Sequence, residues 1–270
     1  MPISKRIRRK LRYLRRRYVV YPMRSLRFSP LFYRYLNRHR YPRSDIPLVR
    51  HLLEHGYAVS SVKELGGDFS ALEAYVAALP PLPEERELSK PFLKGLLPRH
   101  APLANPLMAF VLSDPVLDVV NSYLGVWGKF IDFTLEKTLV SGPMPRAHSQ
   151  RWHRDSEDLR LCKVFIYFSD VDEQSGPFCY VDGSTSRYRH LYGARGAYPP
   201  EGEVERQVPS EAVKVLTGKK GTVLFCDTFG LHRGGYAEAR ERIMLTAMFC
   251  TRAVTYATRS AKPLSFHALS

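Results

Sequence analysis

The feature that most limits how this chain can fold is the texture of its second half. Five short runs rich in β-branched and aromatic residues, Phe130–Val140, Leu161–Phe168, Phe178–Val181, Gly221–Phe225 and Ile243–Thr251, follow one another with Gly, Pro, Asp and Ser between them. Runs of this length and composition, bounded in this way, predict strands. The first half reads differently. An amphipathic segment over Ile46–His55 closes at Gly56, Tyr57-Ala58-Val59 follows as a first strand, and a helix over Ser113–Leu124 has Asp114-Pro115 at its start and Gly125 beyond its end. Between these lie Pro80, Pro81, Pro83, Pro91, Pro98, Pro102 and Pro106, so residues 78–106 are expected to be mostly loop with short helical turns, of the kind that often covers a site. Strands after a helical first half predict an α+β domain with a mainly β core, a sandwich or barrel.

Charge divides the chain in two. The formal net charge is +15, yet residues 1–44 hold fifteen Lys/Arg and no acid, and residues 45–270 carry 26 basic and 26 acidic groups. The expected organisation is therefore a basic N-terminal arm, 1–44, and a neutral folded domain, 45–270, which argues against nucleic acid as a partner of the body. In the arm, Ile7, Leu11, Leu14 and Tyr18 recur at helical spacing with Arg8, Arg9, Arg12, Arg15 and Arg16 around them, a basic amphipathic helix. Such a helix suits contact with an anionic membrane surface or polymer, or packing on its own domain or a partner; an organellar transit peptide is a weaker third reading. Neither a long apolar span nor a secretory apolar stretch is present, so the expected location is cytoplasmic, with peripheral attachment through the arm. Cys162, Cys179, Cys226 and Cys250 form no CxxC pair, and most lie in apolar runs, where a reduced cysteine acts as a small hydrophobe.

The chemistry concentrates around His153-Arg154-Asp155, just before the run Leu161–Phe168, and His232, shortly after Gly221–Phe225. Residues two apart in extended chain share a face, so His153 and Asp155 can hold one ion side by side, and a histidine from a distant strand can complete the set. Two His and one carboxylate on an octahedral Fe(II) leave three positions, enough for a bidentate 2-oxo acid and O2. Arg242, at the head of the run Ile243–Thr251, is placed to clamp the far carboxylate of such an acid. A competing pattern, His51-Leu52-Leu53-Glu54-His55, fits the H-x-x-E-H helix of a zinc peptidase, but the segment is short and stops at Gly56.

Taken in order, Arg151-Trp152-His153-Arg154-Asp155, Ser175-Gly176-Pro177-Phe178, Val181-Asp182-Gly183-Ser184, Gly221-Thr222-Val223-Leu224-Phe225, Leu231-His232-Arg233 and Arg242 resemble the phytanoyl-CoA dioxygenase family of Fe(II)/2-oxoglutarate oxygenases. The resemblance implies a double-stranded β-helix, a jelly-roll or cupin-like core with flanking helices. It further implies His153, Asp155 and His232 as metal ligands and catalytic centre, and Arg242 as the partner of the 2-oxoglutarate carboxylate. Lys137 is the implied polar strand residue facing 2-oxoglutarate. Fe(II) is the implied cofactor, with 2-oxoglutarate and O2 as cosubstrates, and succinate and CO2 leave as coproducts. Related halogenases have a small residue in place of the carboxylate ligand. Asp155 stands there in this chain, so hydroxylation or another oxidation of a small-molecule, lipid-like or carrier-bound substrate is expected rather than halogenation. This chain departs from the family at Arg154, where Gln is frequent, and at Gly234, where Ser is common. The contrasting reading is a non-catalytic β-sandwich scaffold working through the basic arm. Loops 78–106 and 184–212 are where substrate choice is expected to lie.

Overall fold

The computed structural model describes residues 45–80, 92–97, 102, 104–140, 148–191 except 156 and 159, and 198–251; in the N-terminal segment it describes only Leu11, Leu14, Arg15, Tyr18 and Val19. The amphipathic arm expected over residues 1–44 thus lies almost wholly outside the described residues, as do most of the proline-rich positions 81–91 and 98–103.

Helices and two sheets make up the described body. Helices α1 (Pro47–His55), α2 (Phe69–Ala77), α3 (Pro106–Val111) and α4 (Asp114–Leu124) interleave with strands β1 (Tyr57–Ser61) and β2 (Leu93–Gly95). The strand-rich half follows as β3 (Lys129–Thr138), β4 (Leu161–Tyr167), β5 (Phe178–Val181), a short helix α5 (Glu203–Gln207), β6 (Val213–Leu216), β7 (Thr222–Cys226), β8 (His232–Gly234) and β9 (Arg242–Cys250). Six strands form one sheet in the order β1-β7-β4-β9-β3-β2, and three form the second in the order β6-β5-β8, with every pairing antiparallel. This is the jelly-roll arrangement, two sheets facing each other with helices on the outer face of the larger.

Strand alternation explains why β4 and β7 are so uniformly apolar. Cys162, Val164 and Ile166 of β4, Val223 and Phe225 of β7, and Leu245, Ala247 and Phe249 of β9 all join the core formed with the helices. The intervening Phe165, Tyr167, Leu224 and Cys226 turn the other way and pack between the sheets against Phe178 and Tyr180. A strand buried on both faces shows no polar alternation, so its run reads as continuous. In contrast, β3 alternates: Phe133 and Leu135 are buried against the helices, while Asp132, Thr134 and Glu136 are only partly covered and face the gap between the sheets.

Local chemistry sets the element ends. Pro47 opens α1 at a position that needs no N–H. Gly56 closes it with φ +85, its N–H bonding Leu52 O at 2.9 Å; a Cβ here would lie 2.2 Å from the Tyr180 hydroxyl. Only glycine fits both the left-handed backbone and the close approach. Asp68 caps α2 by accepting from Ser70 N at 2.9 Å and Ala71 N at 3.3 Å. All four cysteines are buried, and none forms a disulfide among the described residues. No described helix is long and apolar enough to cross a membrane.

Candidate metal and cosubstrate site

His153 and His232 are 79 positions apart in the sequence, and one reciprocal backbone pair brings them together. His153 N donates to His232 O at 3.0 Å and His232 N to His153 O at 3.1 Å, so residue 153 adds one antiparallel step beside β8. Paired residues put their side chains on the same face, and the two imidazole centroids are 4.2 Å apart. Asp155 N donates to Thr228 O at 2.8 Å, which extends the contact and returns the Asp155 side chain to the face of His153.

Each imidazole is oriented by its own neighbourhood. His153 Nδ1 lies 2.8 Å from Arg151 O, and His232 Nδ1 lies 2.9 Å from Gly230 O. A carbonyl only accepts, so each Nδ1 carries the hydrogen and each Nε2 presents a lone pair. Those Nε2 atoms face Asp155, His153 at 3.8 Å from Oδ1 and His232 at 3.8 Å from Oδ2. Burial pushes His232 down to about 3, with the neighbouring His153 adding to the effect, so it stays neutral at ordinary pH. Burial opposes charge on Asp155, but Lys163, His232 and His153 outweigh it and hold the carboxyl far below the usual range. Two neutral-capable nitrogen donors and one ionised oxygen, with ligand atoms within 4.8 Å of one another, suit a first-row divalent metal. Among the described residues this is the only such cluster.

A cavity of ≈270 Å³ opens between the sheets beside these three residues and runs along the inner face of β3 and β9 to Arg242. Arg242 is 5% exposed and pairs in register with Thr138 of β3. Its Nη1 donates to Gly176 O and its Nη2 to Thr138 Oγ1 at 3.2 Å, while the buried Nε finds no hydrogen-bond partner among the described residues. A buried guanidinium with an unused donor, at the end of a cavity, fits a carboxylate.

Of the residues expected from the sequence, His153, His232 and Arg242 line one cavity, and Asp155 lies against the two imidazoles beside it. Lys137 does not line the cavity. It neighbours Glu136 and Thr138, both of which line the cavity, and strand alternation turns it to the opposite face, where its ammonium pairs with Glu241 at 2.5 Å. Neither does the H-x-x-E-H segment form a metal cluster: His51 and Glu54 are exposed on α1, and His55 Nδ1 bonds Asp182 at 2.9 Å, tying the helix to the turn after β5. At Gly234 an added Cβ would meet Ser149 O only at 3.7 Å, so the missing side chain leaves extra room in the cavity wall.

Arg154 points away from this face. Its guanidinium, 5% exposed, donates to Phe229 O at 2.7 Å, Ser184 O and Tyr188 O at 3.0 Å, and Leu191 O at 3.1 Å. It thus links the His153–Asp155 segment to the loop before His232 and to the turn 183–191. Two cavity residues escaped sequence reasoning. Thr138 carries no sequence signal, but Lys163 does: it is the single charged residue in the run Leu161–Phe168. Its Nζ lies 2.7 Å from Asp155 Oδ2.

The family model for phytanoyl-CoA dioxygenase (PhyH) matches residues 83–237, a span that contains the His153, Asp155 and His232 cluster and stops short of Arg242. No curated protein matches the sequence. Among solved structures, the epimerase SnoN from nogalamycin biosynthesis, in complex with Fe3+, alpha ketoglutarate and nogalamycin RO, superposes with a TM-score of 0.54 at 14% identity, over 78% of this chain and 85% of that one. HygX from Streptomyces hygroscopicus, with nickel and 2-oxoglutarate bound, gives 0.54 at 14% identity over 79% and 89% of the two chains. EctD from S. alaskensis, with bound Fe, gives 0.54 at 15% identity over 83% of each. At such identities the likeness is one of fold.

Proposed function

The chain belongs to the phytanoyl-CoA dioxygenase family, and on that premise we propose that it is an Fe(II)- and 2-oxoglutarate-dependent oxygenase that oxidises a C–H bond of a small-molecule substrate. The observation that carries this reading is the pair of imidazoles whose Nδ1 atoms are both engaged by backbone carbonyls, leaving both Nε2 lone pairs directed at the Asp155 carboxylate.

In this reading His153, Asp155 and His232 hold the metal, and Arg242 with Thr138 holds the far carboxylate of 2-oxoglutarate. The bound metal supplies activation of O2, coupled to decarboxylation of the 2-oxo acid to succinate and CO2. The protein's own part is positional. The His153–His232 ladder pair fixes the donors before anything binds, so little reorganisation is required. Phe165 and Phe178, packed 4.8 Å apart between the sheets, keep the inner end of the cavity apolar and limit water there. Arg242 sits where its unused Nε–H and its charge become satisfied by an anion.

A small-molecule substrate is supported by the modest cavity and by the small molecules in neighbouring structures, nogalamycin RO in SnoN and hygromycin B in HygX. The epimerase SnoN shows that this fold carries other outcomes; hydroxylation is the specific outcome proposed for this chain, recognised by a product one oxygen atom heavier than the substrate. A scaffold working through residues 1–44 would have no use for His153, Asp155, His232 and Arg242 together.

The test is anaerobic titration of the purified protein with Fe(II) and 2-oxoglutarate, following the visible charge-transfer band of the chelate. The band is expected in the wild type, absent in His232→Ala, and shifted to at least about tenfold higher cosubstrate in Arg242→Ala, the loss of a charge-assisted bond. An unchanged band in His232→Ala would refute the assignment of the ligands.

A further inference from the structure

Lys163 occupies an unexpected position for a charge. It lies on the inner face of β4, opposite Met248 of β9 and Cys226 of β7, and the other inner positions of the same strand are Phe165 and Tyr167. Its side chain is 20% exposed and lines the cavity. Burying an ammonium is costly, and an apolar chain of equal length would fill the same space.

The closest approach of its ammonium is to one oxygen of Asp155. Nζ is 2.7 Å from Asp155 Oδ2, an ordinary charge-assisted distance, whereas each imidazole Nε2 is 3.8 Å from the nearer carboxylate oxygen. A carboxylate binds a metal through one oxygen or through both. With two imidazoles on a six-coordinate ion, one oxygen leaves three positions free and two oxygens leave two. A chelating 2-oxo acid together with O2 needs three.

Resting on the function proposed above, we infer that Lys163 is a positioning residue that engages one oxygen of Asp155, so that the carboxylate offers the metal a single oxygen and a position stays open for the cosubstrates. Its positive charge acts in the same direction, reducing the pull of that oxygen on a second cation. Lys163 therefore serves cosubstrate binding at some expense to metal binding.

That opposition separates this role from a structural one. Cobalt(II) is titrated into the full-length apoprotein, and 2-oxoglutarate is then titrated into each cobalt-loaded protein, for wild type, Lys163→Met and Lys163→Arg. Lys163→Met is expected to bind cobalt as tightly as wild type or more tightly, to bind 2-oxoglutarate about tenfold more weakly, and to change the visible cobalt spectrum; Lys163→Arg, which can still engage the oxygen, is expected to restore most of the 2-oxoglutarate affinity. If Lys163→Met binds 2-oxoglutarate within about twofold of wild type, the inference is wrong. Parallel loss of cobalt and 2-oxoglutarate affinity with a lowered melting temperature would also overturn it, since that is what simple loss of a packed ion pair produces. Failure of the wild type to bind either ligand would instead overturn the proposed function.

Discussion

Replacing Arg154 by Met should loosen the frame around the site without touching any side chain that faces the cavity. The guanidinium makes five hydrogen bonds to the carbonyls of Ser184, Tyr188, Leu191 and Phe229. Methionine keeps the length and the apolar stem but donates nothing. The Ser184 bond is buried, so that carbonyl loses its partner outright, at about 1–3 kcal/mol. The bonds to Phe229, Tyr188 and Leu191 are only partly buried, so water replaces the guanidinium there and each loss is nearer 0.5–1 kcal/mol. Part of the total is returned because burial already disfavours the charge, pushing Arg154 down to about 10. The net expectation is about 3 kcal/mol, which for a body of this size lowers the melting temperature by on the order of 10 °C. Urea unfolding measures the global value, and limited proteolysis within residues 184–191 reads the local one. A loss below about 1 kcal/mol, with cleavage in that turn no faster than in wild type, would show that Arg154 is not the brace the hydrogen bonds imply.

Two further outcomes follow from particular contacts. Asp227 is buried, with the Tyr123 hydroxyl donating to Oδ2, and burial raises it from 3.8 to about 6; its contribution to stability is full below pH 4 and is lost as pH rises through 6. Asp227→Asn cannot ionise, so its stability relative to wild type should rise by about 3 kcal/mol between pH 4 and 7, measured by urea unfolding across that range; a flat difference would contradict the buried carboxyl. The opposite trend from His232 is shared by both proteins and cancels. Lys137→Ala should change stability by less than about 1 kcal/mol, because its pair with Glu241 is partly exposed, and should leave the 2-oxoglutarate affinity of the cobalt-loaded protein unaltered; an affinity loss of more than about threefold would return Lys137 to the cavity.

Much of the architecture was legible because the core is built from whole strands. The runs Leu161–Phe168 and Phe178–Val181 match β4 and β5 to within a residue, and α1 and α4 begin at Pro47 and Asp114 and end before Gly56 and Gly125. The strands that escaped were short. β2, β6 and β8 have three or four residues each, too few for a period to show, and each exists because a longer neighbour offers it a hydrogen-bonding edge. β8 is the telling case. His-Arg-Gly has no strand propensity, yet pairing with β5 on one side and with His153 on the other makes it the strand that carries His232.

The candidate site residues His153, Asp155, His232 and Arg242 could be named in advance because residue type and order limit what chemistry is available, and a His-x-Asp on extended chain points both side chains one way whatever surrounds it. Orientation could not be read so locally. Lys137 and Thr138 are adjacent and both polar, and the choice of which faces the cavity is made by the register of β3 on β9, which pairs Thr138 with Arg242 and sends Lys137 out to Glu241. Lys163 stood out in the sequence only as a charge in an apolar run. Its meaning came from the packing of β4 between β9 and β7, which sets its ammonium 2.7 Å from Asp155. Residue chemistry and strand period are properties of the chain itself, whereas register and the meeting of two sheets depend on every pairing at once. The sequence therefore determined which groups this protein can bring to a metal and a 2-oxo acid, and the tertiary structure alone decided which of the neighbouring charges face them.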